Sequence, residues 1–375
     1  MSFQSDYELA RANLNKSRDA RQAVLDRFKI EVDFAAEFAR VLGKKDWEKL
    51  VLKAVEHVNS CMSTNAFDCE KVIGEAEKML APIGKVAKEY TIHVCGHAHI
   101  DMNWMWPWQE TVNVTHDTFT TMDKLMDDFP EFHFSQSQAS TYFAMEQHCP
   151  EIFEMVKRRI KSGNWEVTAS TWVEGDKNIV SGESLCRHLL YTRKYMKEHL
   201  GLEPEDVQID WSPDTFGHAH TLPSILSRGN VKRYYCHRTG PALWMFKWRS
   251  PDGSEVLVFK DRDKYVYNGP VDPADMAAMI CSFTRETGLK DYMYVFGVGD
   301  HGGGGRRDPQ PGDVLCVPRA VAARLRRTLR RGVGRHHRGS GHRPVPLQGR
   351  CDTAARHLRD GRAGLGLAAS RVALK

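Results

Sequence analysis

Through residue 89 the apolar positions recur at three- and four-residue steps with charges between them. "YELARANLNKSRDARQAVLDRFKIEVDFAAEFARVL" and "WEKLVLKAVEHVNSC" carry this period, which lays one apolar stripe along a helix. Asp68 to Leu80 predicts a further helix, closed by Pro82 and Gly84. From Tyr90 the texture changes. "YTIHVCG", "EFHFSQSQ", "NWEVTAS", "DVQIDWS", "KRYYCH", "EVLVFK" and "YMYVFGVGD" are rich in β-branched and aromatic residues and predict strands. Between them "YFAMEQHCPEIFEMVKRRIKSG", "ESLCRHLLYTRKYMKEHLG" and "ADMAAMICSFTRETG" predict helices. Strand–helix alternation predicts an α/β fold built on a parallel sheet or a barrel. The division is then a helical region over 1–89, an α/β region over 90–305 and a remainder over 306–375.

Bulk properties narrow the class. The 41% hydrophobic and 27% charged fractions are those of a globular protein. The longest apolar runs fall far short of the roughly 20 residues of a membrane span. "MSFQSDYELARANLNK" mixes charges and lacks an apolar signal core. The nine cysteines are scattered without a C-x-x-C pair, which fits reduced thiols. The expectation is a cytoplasmic protein with no membrane partner.

Potentially reactive residues gather where predicted strands end: His99 and Asp101, Ser135 and Gln136, Asp214, Asp300. In α/β folds the loops after strand C-termini build the site. In "CGHAHIDMNWMWPW", alternation lets His97, His99 and Asp101 share a face, and imidazole with carboxylate suits Zn²⁺ or a similar ion. A polar turn is the plain alternative. Trp104, Trp106 and Trp108 follow at once; flat rings stack on sugar faces, and core packing competes for at least two of them. In "QIDWSPDTFGHAHTLPSIL" a turn set by Pro213 and Gly217 can present Asp214, although spacing leaves Asp210 equally eligible. "YVFGVGDHGGGG" ends in Asp300–His301 before four glycines. It lacks the G-x-x-x-x-G-K-[ST] arrangement of a phosphate loop.

Taken in order, "HAHIDMNWMW", "ASTWVEGDKNIVSGES", "WSPDTFGH" and "GVGDHGGG" resemble the catalytic domain of glycoside hydrolase family 38, the retaining α-mannosidases, over about residues 90–305. The N-terminal helices resemble its cytosolic and bacterial branch. The resemblance implies a seven-stranded β/α barrel holding one divalent ion, Zn²⁺ with Co²⁺ as an alternative. It implies His99, Asp101 and Asp214 as metal ligands, with His97 outside the set. It implies Asp214 as nucleophile and Asp300 as general acid/base, with His301 the alternative at a loosely matching loop. Trp104, Trp172 and Asp176 are implied as walls or hydrogen-bond partners of the sugar pocket. The partner is a mannose-containing oligosaccharide or glycoside. Nucleic acid is not expected, and a homo-oligomer is compatible.

Two departures stand out. The family's fourth ligand is a downstream histidine, and His336–His337 in "RRGVGRHHRGS" does not match its context. The usual continuation after the glycines is missing, so the chain reads as a truncated enzyme with weak metal binding and impaired activity. A metal-dependent deacetylase-like hydrolase and an inactive carbohydrate-binding remnant are the competing functions.

Residues 306–375 contain none of the chain's 36 aromatic residues and no Ile, Met, Asn or Glu. They hold sixteen arginines and one lysine against four aspartates, about +13, so a total of +5 leaves about −8 for the rest. Arg, Gly, Ala and Pro share G/C-rich codons. The expectation is a reading frame that slips near Gly305; the alternative is a disordered basic tail binding nucleic acid or acidic partners. Translating the nucleotides after the Gly305 codon in the other two frames is expected to resume the strand–helix alternation in one of them. Failure in both excludes a slip.

Overall fold

A computed structural model describes residues 4, 6–8, 11, 22–62, 68–238, 240–262 and 267–302. The basic remainder over 306–375, including His336 and His337, lies outside them. The described residues divide into two compact units, those up to 93 with 272–294, and 94–271 with 295–302.

In the first unit α1 (Gln22–Val41), α2 (Lys45–Met62) and α3 (Cys69–Ala87) pack with α9 (Pro273–Thr287). Their apolar stripes meet in one core that includes Phe28, Val32, Val55, Val58, Ile73 and Ile83, closed by Cys281 of α9. Asp68 caps α3, its carboxylate accepting from the Lys71 amide at 3.1 Å. The helix runs past the stop expected at Pro82 and Gly84. Pro82 lies on the exposed side of α3, so the carbonyl left without its N–H partner can turn to water.

The second unit carries the other helices: α4 (Trp108–Asp128), α5 (Ala139–His148), α6 (Pro150–Ser162), α7 (Gly182–Leu200) and α8 (Leu222–Arg228). The single helix expected across Cys149–Pro150 is two, because proline drives the residue before it out of the helical region and Cys149 takes φ −144°.

The strands are β1 (Thr91–Ala98), β2 (Phe134–Gln136), β3 (Trp165–Val167), β4 (Ile209–Ser212), β5 (Arg233–Cys236), β6 (Met245–Arg249), β7 (Glu255–Lys260) and β8 (Asp291–Val298). They form two four-stranded sheets, ordered β3-β2-β1-β8 and β4-β5-β7-β6. The pairs β1–β2, β2–β3, β4–β5 and β5–β7 are parallel. For β1–β8, Thr91 N–H donates to the Lys290 carbonyl and His99 N–H to that of Val298, a constant offset that parallel strands produce. The expected parallel α/β sheet is therefore present. A closed seven-stranded ring is not confirmed: among the described residues the ladders form two four-stranded sheets. Beyond β3 and β4 the chain leaves extended pairing, and only one bridge, Lys177 to His218, joins the segments that follow them. One strand beyond the seven expected, β6, pairs antiparallel with β7 across a turn at Gly253 (φ 84°). Helices α7 and α8 cover the second sheet through Leu185, Leu189, Leu222 and Leu226 against Tyr234, Val256 and Val258.

The glycine run has a packing role at its start. Gly297 in β8 has φ 153°, and a Cβ there would fall 1.6 Å from the carbonyl oxygen of His97 in β1. Glycine alone lets β8 lie this close to β1. Gly297→Ala is expected to destabilise the chain by at least about 2 kcal/mol in urea unfolding; an unchanged midpoint would show that the strands separate freely.

Candidate active site

Three strands end within three residues of a candidate acidic group. His99 and Asp101 follow β1, Asp214 follows β4 and Asp300 follows β8. The structure brings the first three together: ligand-capable atoms of His99, Asp101 and Asp214 all lie within 4.8 Å of one another. His99 Nε2 sits 3.0 Å from Asp101 Oδ1. His97 points elsewhere. It is buried, with Nδ1 3.0 Å from the Ser135 carbonyl and its ring against Trp211. Burial first, then the neighbouring charge of His99, pushes its pKa down to about 3, so the ring is neutral.

The cluster is held from the loop after β3. The Glu174 carboxylate, 3% exposed, lies 3.3 Å from His99 Nδ1. Its other oxygen accepts the Asp214 amide at 2.6 Å and the Thr215 hydroxyl at 3.0 Å. Gln138, after β2, accepts the Glu174 amide at 3.0 Å and donates to the Ile100 carbonyl at 2.6 Å. Its φ of 65° is uncommon outside glycine, and these two bonds hold it there. Burial opposes the charged form of His99, but Glu174 and then Asp101 outweigh it and raise its pKa to about 10 when no metal is bound.

Further groups close round Asp214. Arg238, two residues past β5, forms an ion pair with Asp214 Oδ1 and stacks on Phe216 at 4.4 Å. Tyr267 bonds to Asp214 and packs edge-on to His99 at 5.2 Å. Glu174, Gln138, Arg238 and Tyr267 all escaped the sequence reading. Glu174 had one signal, its place within "ASTWVEGDKNIVSGES", two residues from Trp172 and two from Asp176.

Asp300 joins the first loop through its backbone, its carbonyl accepting the Asp101 amide at 2.8 Å; its side chain is exposed. His301 pairs with Glu110 at 3.1 Å and meets the edge of Trp106 at 4.8 Å. Trp106 is pinned through its indole N–H to Thr111, and Trp104, 61% exposed, packs edge-on to it. None of Trp104, Trp106 and Trp108 is in the buried core. Trp172 packs with Phe143 and Tyr195 along a cavity of about 430 Å³. Asp176 is exposed, and its carboxylate accepts the Asn178 and Ile179 amides.

The donor set fits a divalent ion. A histidine with one carboxylate 3.0 Å from Nε2, another 3.3 Å from Nδ1 and a third carboxylate within ligand reach is a donor set that suits borderline divalent ions. By fold and site the chain falls among the glycosyl hydrolases. Residues 89–311 match the sequence profile described as the Glycosyl hydrolases family 38 N-terminal domain, and the chain belongs to that family. It is similar to Alpha-mannosidase G of Dictyostelium discoideum (26% identity, covering 80% of this chain and 27% of that one). It is similar to Alpha-mannosidase 2C1 of Homo sapiens (32% identity, 58% of this chain and 21% of that one). The chain thus spans about a quarter of the length of these relatives. A crystal structure of an alpha-mannosidase from Enterococcus faecalis shares the fold, with TM-score 0.50 and 20% identity over 57% of this chain and 25% of that one. Among the described residues no helix is long and apolar enough to cross a membrane.

Two more carboxylates sit buried, one within β4 and one just after β7. Asp210 pairs with Lys177, itself 1% exposed, which also donates to Ser212. Asp261, after β7, accepts the Tyr235 hydroxyl, and burial raises its pKa to about 7. Between about pH 4, where an unfolded carboxyl titrates, and pH 7, the folded chain keeps a proton that the unfolded chain has released. Stability contributed at low pH is therefore lost as pH rises through 7. Asp261→Asn preserves an acceptor for Tyr235 without this proton. Urea unfolding at pH 5 and 7 is expected to show wild type losing stability faster than the variant, by up to about 1.4 kcal/mol per pH unit; parallel profiles would place the proton elsewhere.

Proposed function

We propose that the chain is the N-terminal catalytic region of a metal-dependent, retaining α-mannosidase acting on terminal α-mannosyl linkages of an oligosaccharide or glycoside. The observation that carries this reading is the convergence of His99, Asp101 and Asp214 in a member of this family. Asp214 attacks the anomeric carbon while Asp300 protonates the leaving oxygen, giving a glycosyl-enzyme ester. Asp300 then takes a proton from water, which attacks the same carbon and frees Asp214. The ion pair with Arg238 orients the Asp214 carboxylate, and the hydrogen bond that the Asp214 backbone N–H donates to Glu174 holds the turn that carries it. His99, Asp101 and Asp214 would hold the ion, Zn²⁺ or Co²⁺, which when bound supplies a Lewis-acidic grip on sugar hydroxyls. Trp104 offers an exposed ring face to the sugar, and Trp172 with its aromatic neighbours offers another. Asp176 serves the sugar pocket indirectly, by shaping the loop that carries Glu174.

Hydrolysis of p-nitrophenyl α-mannoside by this chain is expected to fall at least a thousandfold with chelator or in Asp214→Ala. A mechanism-based mannosyl reagent is expected to label Asp214 covalently. Full activity in Asp214→Ala refutes the nucleophile, and turnover without any adduct points to a metal-activated water instead.

A further inference from the structure

We propose that Glu174 is the positioning residue of this site, one carboxylate that lies against the Nδ1 side of His99 and holds the turn bearing Asp214. The role toward a bound ion rests on the function proposed above; the hold on the Asp214 turn does not. The geometry points to the role because the two oxygens do different work. Oε2 lies against His99 Nδ1 at 3.3 Å, and Oε1 accepts the Asp214 amide at 2.6 Å and the Thr215 hydroxyl at 3.0 Å. A carboxylate 3.3 Å from Nδ1 favours the tautomer with its proton on that side, which leaves Nε2, the nitrogen 3.0 Å from Asp101, to face a cation. The segment that carries Glu174 is itself fixed at both ends. Gln138 accepts its amide, and three residues on Lys177 pairs with Asp210 while its carbonyl accepts the Ala219 amide at 3.0 Å. The carboxylate therefore has little freedom to leave either partner.

Two substitutions separate the two oxygens. In Glu174→Gln the amide oxygen can still accept from Asp214 and Thr215, but the NH₂ group faces His99 Nδ1. The imidazole must then accept there and carry its proton on Nε2, which opposes metal binding. Glu174→Ala removes both partners. The chain is tested with Co²⁺ titration followed by visible absorption, with thermal melts of the metal-free protein, and with hydrogen–deuterium exchange over residues 211–216.

Glu174→Gln is expected to bind Co²⁺ roughly 10- to 100-fold more weakly than wild type, with an unchanged metal-free melt and unchanged exchange. Glu174→Ala is expected to weaken Co²⁺ as much and to speed exchange of the Asp214 amide at least tenfold. Wild-type Co²⁺ affinity in Glu174→Gln overturns the hold on His99; wild-type exchange in Glu174→Ala overturns the hold on Asp214. A purely structural residue would instead lower the melt of both variants in step with affinity, which also overturns the proposal. Should wild type take up no Co²⁺, the metal assignment of the proposed function falls, and the exchange measurement alone decides for or against Glu174.

Discussion

A carboxylate cannot be left unpaired in the interior of a protein, and the Glu174 side chain is almost wholly enclosed. Its partners come from two other loops: His99 after β1, and Asp214 with Thr215 after β4. Satisfying one buried charge thus brings separate strand ends to a common point. Gln138 extends the tie to the loop after β2, and its left-handed backbone is a cost borne where the loops converge. The cluster of His99, Asp101 and Asp214 is the product of this web, not of any one segment.

The eighth strand reaches the same region by a different constraint. Gly297 allows β8 to press against the His97 carbonyl, and the chain then delivers the Asp300 carbonyl to the Asp101 amide. The glycine-rich stretch acts here as a close-packing device between strands. The aromatic residues that follow Asp101 line the same junction, with Trp106 between Trp104 and His301. A flat, partly exposed aromatic surface beside carboxylates is what a polyhydroxylated ligand with apolar C–H faces requires.

The chain belongs to glycosyl hydrolase family 38 through the match over residues 89–311. The region matched is the one in which His99, Asp101, Asp214 and Asp300 all lie. The buried Lys177–Asp210 pair ties the β3 loop to β4 next to Asp214, and replacing either partner would strand a charge in the core.

Local patterning was enough for much of the architecture. The helical period of the first unit, the seven strands that alternate with helices, and the strand-end positions of His99, Asp101, Asp214 and Asp300 were legible because each depends on neighbours within a few residues. Four ordered motifs carried the family as well. What needed three dimensions was anything set by long-range pairing. Pro82 inside α3 depended on which side of the helix met water, and β6 on its antiparallel partner. The division into two sheets depended on where ladders stop. Between Asp210 and Asp214, equal candidates by spacing, only the fold distinguished them: Asp210 is buried against Lys177, whereas Asp214 faces His99 and Asp101. Glu174, Gln138, Arg238 and Tyr267 were invisible for the same reason. Their partners lie tens of residues away or more, and a single sequence records no distance between them.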